Sequence, residues 1–391
     1  MKGWQIVPLG QVIRQRKEFI EIDDLQTYKR ARVQLHAKGI VLRDVVEGSM
    51  VKTKRQQVSR AGEFLVAEID AKVGGFGIVP DDLDGAIVSS HYFLFEIDES
   101  KLERRFLDFF IRTPAFRDQV EAQGSTNYAA IRPAHVIAYQ IPLPPLSEQR
   151  RIVARIEALA AEIAEAKRLR QEAVAEAEAM GKAWLNHRIE SAAEQYGLER
   201  MGGAATSAAG FGFPKSYQGR ADLDYPFVKV SDMNLPENAR NITTAQNWID
   251  KHDVEEMRVR IYPVGTVIFP KIGGAIATNK RRVLSVPATF DNNVMGLIPT
   301  DRLSSDFLFA VMQNFDLTQL QAGTSVPAIS QGKVEEIQVA VPPLPEQRRI
   351  VAELDALQAQ VDGLKRLQSE TAAELDALLP AILDRAFKGE L

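Results

Sequence analysis

Two basic runs offer side chains suited to binding a polyanion. Residues 51–60, VKTKRQQVSR, bring Lys52, Lys54 and Arg55 next to Gln56 and Gln57. Residues 278–282, TNKRR, bring Asn279, Lys280, Arg281 and Arg282 together. Lys and Arg neutralise phosphates, while Gln and Asn amides match the donor–acceptor pair on an adenine edge. The competing reading of either run is a solvated surface loop. A third group, Glu68, Asp70 and Lys72 in EIDAK, alternates as it would along one face of a strand and could hold Mg²⁺ in a nuclease. The corresponding place in the second half reads PKIGG and keeps none of the three, which weighs against catalysis there. There is no GxxxxGK[ST] phosphate loop and no Asn/Asp-Pro-Pro-Tyr/Phe segment of the kind amino-methyltransferases use. The five His lack metal-ligand spacing, and KVGGFG (72–77) lacks GxGxxG spacing and marks a turn leaving a strand.

What must position these residues is a duplicated scaffold. PPLSEQRRIVARI begins at Pro144 and PPLPEQRRIVAEL begins at Pro342, 198 positions later, with ten of thirteen residues identical. Each follows an extended apolar segment stopped by prolines and then turns helical. Ile152, Ile156, Leu159, Ile163, Ala166 and Leu169 share their spacing with Ile350, Leu354, Leu357, Val361, Leu364 and Leu367. Val174, Ala177, Met180 and Trp184 extend the first stripe, and Leu375, Leu378 and Ile382 the second. The pattern predicts two helices of about 40 residues, about 60 Å each. A stripe so narrow needs a partner, and the partner of matching length is the other copy.

Upstream of each helix the order of landmarks also repeats. EFLVAEID (63–70) and GTVIFPKIGG (265–274) read as buried strands, and FLDFFIRTPAFRDQV and FLFAVMQNFDLTQL as amphipathic helices. GSTNYAAIR, with Asn127 and Tyr128, and GTSVPAIS are glycine loops. The fold class is therefore α+β: two mixed lobes and two long helices pairing antiparallel within one chain, with an internal pseudo-twofold repeat. The expected boundaries are 1–143 and 191–341 for the lobes, 144–190 and 342–391 for the helices. A chain of 391 residues with 45% hydrophobic and 26% charged residues suits such a multi-unit soluble protein. Cys is absent, no apolar run approaches a membrane span, and the N-terminal stretch has no long apolar core, so a cytoplasmic protein without a signal peptide is expected.

Over essentially its whole length the chain resembles the specificity (S) subunit of type I restriction-modification systems. The residues that carry the likeness are IPLPPLSEQRRIV (141–153) and VPPLPEQRRIV (341–351), together with YKRARVQLHAKGIVLRD and GSTNYAAIR in the first lobe and YPFVKVSDMN in the second. The resemblance implies a non-catalytic chain. Each lobe would read one half of a bipartite, asymmetric site in double-stranded DNA, and the coiled coil would set the spacer. It also implies docking of two methyltransferase (M) subunits, with restriction (R) subunits joining through them. S-adenosylmethionine, ATP and Mg would sit on those partners and no cofactor on this chain. Glu148, Gln149, Arg150 and Arg151 recur unchanged as Glu346, Gln347, Arg348 and Arg349. Residues that read different bases need different donor patterns, so an identical set is expected to meet a partner that is itself repeated. With a net charge of −4 the chain is not strongly basic, so much of the grip on phosphates would come from partner subunits. The alternative is a coiled-coil adaptor with two protein-binding lobes and no nucleic acid.

Overall fold

The computed structural model describes residues 3–121, 130–323 and 326–391. The chain divides into two compact units, Met1–Arg170 with Gln368–Leu391, and Gln171–Leu367. Each holds one lobe and a stretch of both long helices.

The lobe of the first unit is built on two sheets. Ile13–Arg16, Tyr92–Ile97, Phe64–Ala67 and Phe76–Ile78 form an antiparallel four-stranded sheet. Phe64–Ala67 is buried at all four positions, as a continuous apolar run in a central strand should be. A five-stranded sheet carries the hairpin Thr27–Gln34 and Gly39–Glu47 at one edge. Arg104–Phe110 and Pro114–Glu121 cover the core: Phe116 packs edge-on against Phe64, Phe76, Phe110 and Tyr139, while Phe106 and Phe110 lie tilted against Phe387. The turn Asp70–Val73 ends on Gly74 at φ 80°, where a Cβ would stand 2.5 Å from the Ala37 nitrogen, so only glycine fits.

The second unit repeats the plan with different detail. Val267–Pro270 lies fully buried between Val294–Pro299 and Arg282–Leu284 in a five-stranded sheet, and Ser305–Asn314 packs over it through Phe307, Leu308 and Met312. In both lobes an early strand pairs with the strand entering the long helix: Gln5–Pro8 with Gln140–Leu143, and Glu199–Arg200 with Gln338–Val339.

The first long helix runs Leu146–Tyr196. The second is Leu344–Glu370 followed by Ala372–Phe387, so the single helix expected from the stripe is interrupted at Thr371. Within the first unit Ile152, Val153 and Ile156 are buried with Leu383, Ala386 and Phe387, and Lys167 pairs with Asp376 at 2.5 Å. Within the second unit Glu178 pairs with Lys365 at 2.5 Å and Arg188 with Glu353 at 3.4 Å. Partner numbers fall as the first helix advances, so the pairing is antiparallel.

The stripe departs from expectation mid-way. Leu169, Met180, Leu367 and Leu378 are about half exposed or more. Arg170 takes the inward position instead and donates to the Gln368 carbonyl and to Thr371 Oγ1 (2.8 Å), while Gln368 Nε2 donates to the Arg170 carbonyl at 2.9 Å. Arg170 and Gln368 lie 198 positions apart, so equivalent residues of the two repeats meet each other here.

Candidate nucleic-acid interface

The basic run of the first lobe splits into inward and outward residues. Gln56 and Gln57 are buried. Gln56 Nε2 donates to the Thr53 carbonyl at 2.6 Å, and Gln57 Nε2 to the carbonyls of Ser89 (3.0 Å) and Tyr92 (2.7 Å). The Gln57 amide is spent inside the lobe, which corrects its assignment to bases, whereas Gln56 also lines a concavity together with Lys52. Lys54 is tied to Asp24 (2.5 Å) and the Gly48 carbonyl (2.8 Å). Arg55 stays exposed over the Phe19 ring at 4.5 Å. Lys52 is exposed and makes no ion pair among the described residues.

Lys52 has neighbours that the run did not show. The Thr27–Gln34 and Gly39–Glu47 hairpin brings Arg30, Arg32 and Arg43 to one concavity of about 460 Å³, which Lys52, Met50, Thr53 and Tyr92 also line. Arg30 is held fork-on-fork by Asp44, with both N–H···O distances 2.6 Å. That pair keeps the Asp44 carboxyl below its ordinary range and the Arg30 guanidinium above its own. Arg43 lies 3.7 Å from the same Asp44, and Arg32 is exposed. Four cations line the concavity, and Asp44 pairs with Arg30 and, more loosely, with Arg43. The sequence signal was there, in alternating YKRARVQ: Arg30 and Arg32 share one face of a strand.

In the second lobe TNKRR folds back on its own lobe, with Arg281 buried and Asn279, Lys280 and Arg282 half-buried. Asn279 adopts the left-handed conformation at φ 50°, which Asn tolerates. Its Nδ2 donates to Asp316 at 3.1 Å and its Oδ1 accepts from the Leu317 N–H at 2.9 Å. Lys280 donates to Asn234 Oδ1. Arg281 is buried and donates to the carbonyls of Asn279 and Phe315, and burial pushes its guanidinium down to about 10. Arg282 donates to the carbonyls of Arg281 and Met233, both at 2.7 Å, and burial lowers it too. These four residues hold a turn against the lobe, and the assignment of the buried Arg281 to DNA is corrected. Asn127 and Tyr128 lie outside the described residues.

The nuclease reading loses its geometry. The strand ends at Ala67 and a 3₁₀ turn occupies Asp70–Val73, so Glu68, Asp70 and Lys72 do not alternate on one strand. Glu68 is engaged by His91 Nδ1 (2.8 Å) and Arg132 (3.2 Å).

The repeated EQRR set also divides. Gln149 and Gln347 are fully buried and leave the docking expectation. Gln149 Nε2 donates to the carbonyls of Lys101 (2.9 Å) and Pro144 (2.8 Å), and its Oε1 accepts from the Glu103 N–H at 2.8 Å. Gln347 repeats this with the carbonyls of Arg302 (2.7 Å) and Pro342 (2.8 Å) and the Ser304 N–H (2.8 Å). The sequence carried a signal for this. Gln149 precedes Ile152, Val153 and Ile156 at the i, i+3, i+4, i+7 spacing of one helix face. The other residues stay outward. Glu148 pairs with Arg151 (2.7 Å) and Glu346 with Arg349 (2.6 Å), one turn along the helix in each case. Arg150 is exposed 3.7 Å from Glu103, and Arg348 is exposed.

Comparison with known proteins agrees with this duplicated layout. The family model for the type I restriction modification DNA specificity domain matches residues 1–173 and again 200–372. The chain is 28% identical over 178 residues to the EcoDI specificity subunit of Escherichia coli, covering 44% of this chain and 38% of that one. It is 21% identical over 311 residues to the EcoKI specificity subunit of Escherichia coli K12, covering 73% and 65%. It thus spans under two thirds of the length of either curated relative. Among solved structures, the HsdS subunit from Thermoanaerobacter tengcongensis is similar over 100% of this chain and 98% of its own, with TM-score 0.60 and 27% identity. A chain from a study of complex assembly and conformational transition of a type I restriction-modification system aligns with TM-score 0.69 and 27% identity over 100% and 99%. With two successive matches to the domain, each carrying its own copy of the helical repeat, the chain belongs to the family of type I restriction modification DNA specificity domains.

Proposed function

We propose that the chain is the specificity subunit of a type I restriction-modification complex and has no catalysis of its own. One observation carries this reading: two lobes with different surfaces stand on one duplicated joint and helix. Different surfaces suit the unlike halves of an asymmetric DNA site, and a duplicated helix suits two copies of one partner. The first lobe meets DNA through the concavity of Arg32, Arg43 and Lys52, with Arg55 alongside. The exposed Arg150 and Arg151, with the half-buried Glu148, and their counterparts Arg348, Arg349 and Glu346 meet two methyltransferase subunits, through which restriction subunits join. S-adenosylmethionine, ATP and Mg belong to those partners, and the complex works in the cytoplasm. Among the described residues no helix is long and apolar enough to cross a membrane.

The test is expression with the methyltransferase subunit, followed by methylome sequencing and footprinting. The expected result is a bipartite, asymmetric modified sequence protected only by the complex. Exchanging residues 1–143 for another first lobe should alter one half-site and keep the other. Methylation without sequence preference, or both halves changed by the exchange, would refute the proposal.

A further inference from the structure

Each lobe is held to its own stretch of long helix by a latch of two parts, and the two latches match. The first part is the buried glutamine. Gln149 and Gln347 each make three hydrogen bonds, all to main-chain atoms at the mouth of the lobe. An amide so placed cannot be lost without leaving buried partners unpaired.

The second part is an arginine that bridges lobe and helix. Arg105 stands 4.9 Å over the Phe109 ring, pairs with Asp108 at 2.8 Å and reaches Glu157 on the long helix at 3.0 Å. Arg240 stands 5.3 Å over Phe309, pairs with Asp306 at 2.8 Å and reaches Asp355 on the long helix at 3.2 Å. Glu157 and Asp355 are 198 positions apart, so they are counterparts in the repeat. The arginines are not counterparts. Arg105 belongs to the helix Arg104–Phe110, whereas Arg240 precedes the strand Asn241–Ile242. The same three contacts have been rebuilt from an unrelated segment, so the position itself, rather than shared descent of the residue, calls for a bridging guanidinium.

Stability alone does not account for the bridge. Both arginines are partly exposed, and exposed ion pairs contribute little to folding. Their geometry constrains an angle. A lobe of this size has a radius of gyration of about 14 Å, and a tilt of about 10° carries a surface ~20 Å from the joint by about 3.4 Å, one base-pair step. We propose that Gln149 with Arg105, and Gln347 with Arg240, are positioning residues that fix the tilt of each lobe on its helix and thereby the spacer length at which both half-sites are read. This rests on the function proposed above.

The experiment uses the full complex with its methyltransferase subunits. Duplexes carry the two half-sites found by methylome sequencing, separated by the native spacer or by one base pair more or fewer. Arg105→Gln and Arg240→Gln, both surface changes, are expected to keep the half-site sequences while the preference for the native spacer falls about fivefold, the worth of one net hydrogen bond. Gln149→Met should lower it further. Arg105→Lys, which keeps the charge but not the planar fork, should restore part of it. An unchanged spacer preference in the Arg105→Gln and Arg240→Gln complexes would overturn the latch, as would a change in the bases read. A wild-type complex that methylates without sequence preference would instead defeat the specificity-subunit reading.

Discussion

Replacing Arg32, Arg43 and Lys52 together with Gln removes three cations from the concavity of the first lobe while sparing Arg30, which Asp44 holds in place. If each meets one phosphate, the slope of log affinity against log salt becomes shallower by about 0.9 per contact, so by about 2.7 in total. Between 50 and 200 mM salt, a fourfold change, the wild-type complex should lose about 40-fold more affinity than the variant. Fluorescence anisotropy of the assembled complex on its own duplex across that range measures both slopes. Lys280→Gln serves as the control, because that side chain is bonded to Asn234 within the second lobe and should leave the slope alone. A triple variant with the wild-type slope would refute the assignment of the concavity, and a shallower slope in Lys280→Gln would return DNA to the second run.

Three further outcomes are expected. Ile156→Ala, at a fully buried seam position, should cost about 2–5 kcal/mol in urea unfolding followed by far-UV circular dichroism. Tyr139→Phe should leave neutral-pH stability unchanged or raise it by about 1 kcal/mol, because the buried hydroxyl has no hydrogen-bond partner among the described residues. Burial pushes this phenol up to about 12, above its ordinary value near 10. The stability tied to it is therefore whole below pH 10 and is lost as pH rises towards 12, so denaturation midpoints at pH 9 and 11 should fall further apart in the wild type than in the variant, which keeps the raised phenols of Tyr92 and Tyr262. Arg150→Glu with Arg348→Glu should weaken co-purification of the methyltransferase subunit while the residual methylation keeps its sequence. Normal assembly with an altered sequence would move these arginines onto DNA.

Periodicity made the scaffold legible, because a stripe at helical spacing and a four-residue apolar strand each have only one place to go. Phe64–Ala67, Val267–Pro270, Ile152 and Ile350 are buried as their patterns require. The basic runs were legible only in part, since Lys52 and Arg55 are exposed but charge predicts solvation only while the backbone points outward. The left-handed turn at Asn279 folds Arg281 and Arg282 against carbonyls of their own lobe. The seam failed in a related way. Following apolar character from Ile163 and Ala166 leads to Leu169, whereas following spacing towards Val174 leads to Arg170, and in the middle of the coil spacing wins.

The glutamine contacts have a consequence for how such a chain can change. Lys101, Glu103 and Pro144 offer Gln149 only their carbonyls and an N–H, as Arg302, Ser304 and Pro342 do for Gln347. Every amino acid supplies the same carbonyl, and all but proline the same N–H. The glutamine's part of the fitting is therefore blind to the side chains at these positions, whereas the bridging arginines and the packing of Phe106 and Phe110 on Phe387 are not. Side chains at Lys101, Glu103, Arg302 and Ser304 can drift without breaking the glutamine's hydrogen bonds. A lobe that replaces another therefore needs only a main chain of the same course to meet the glutamine, and its own side chains must supply the bridging guanidinium and the apolar contact.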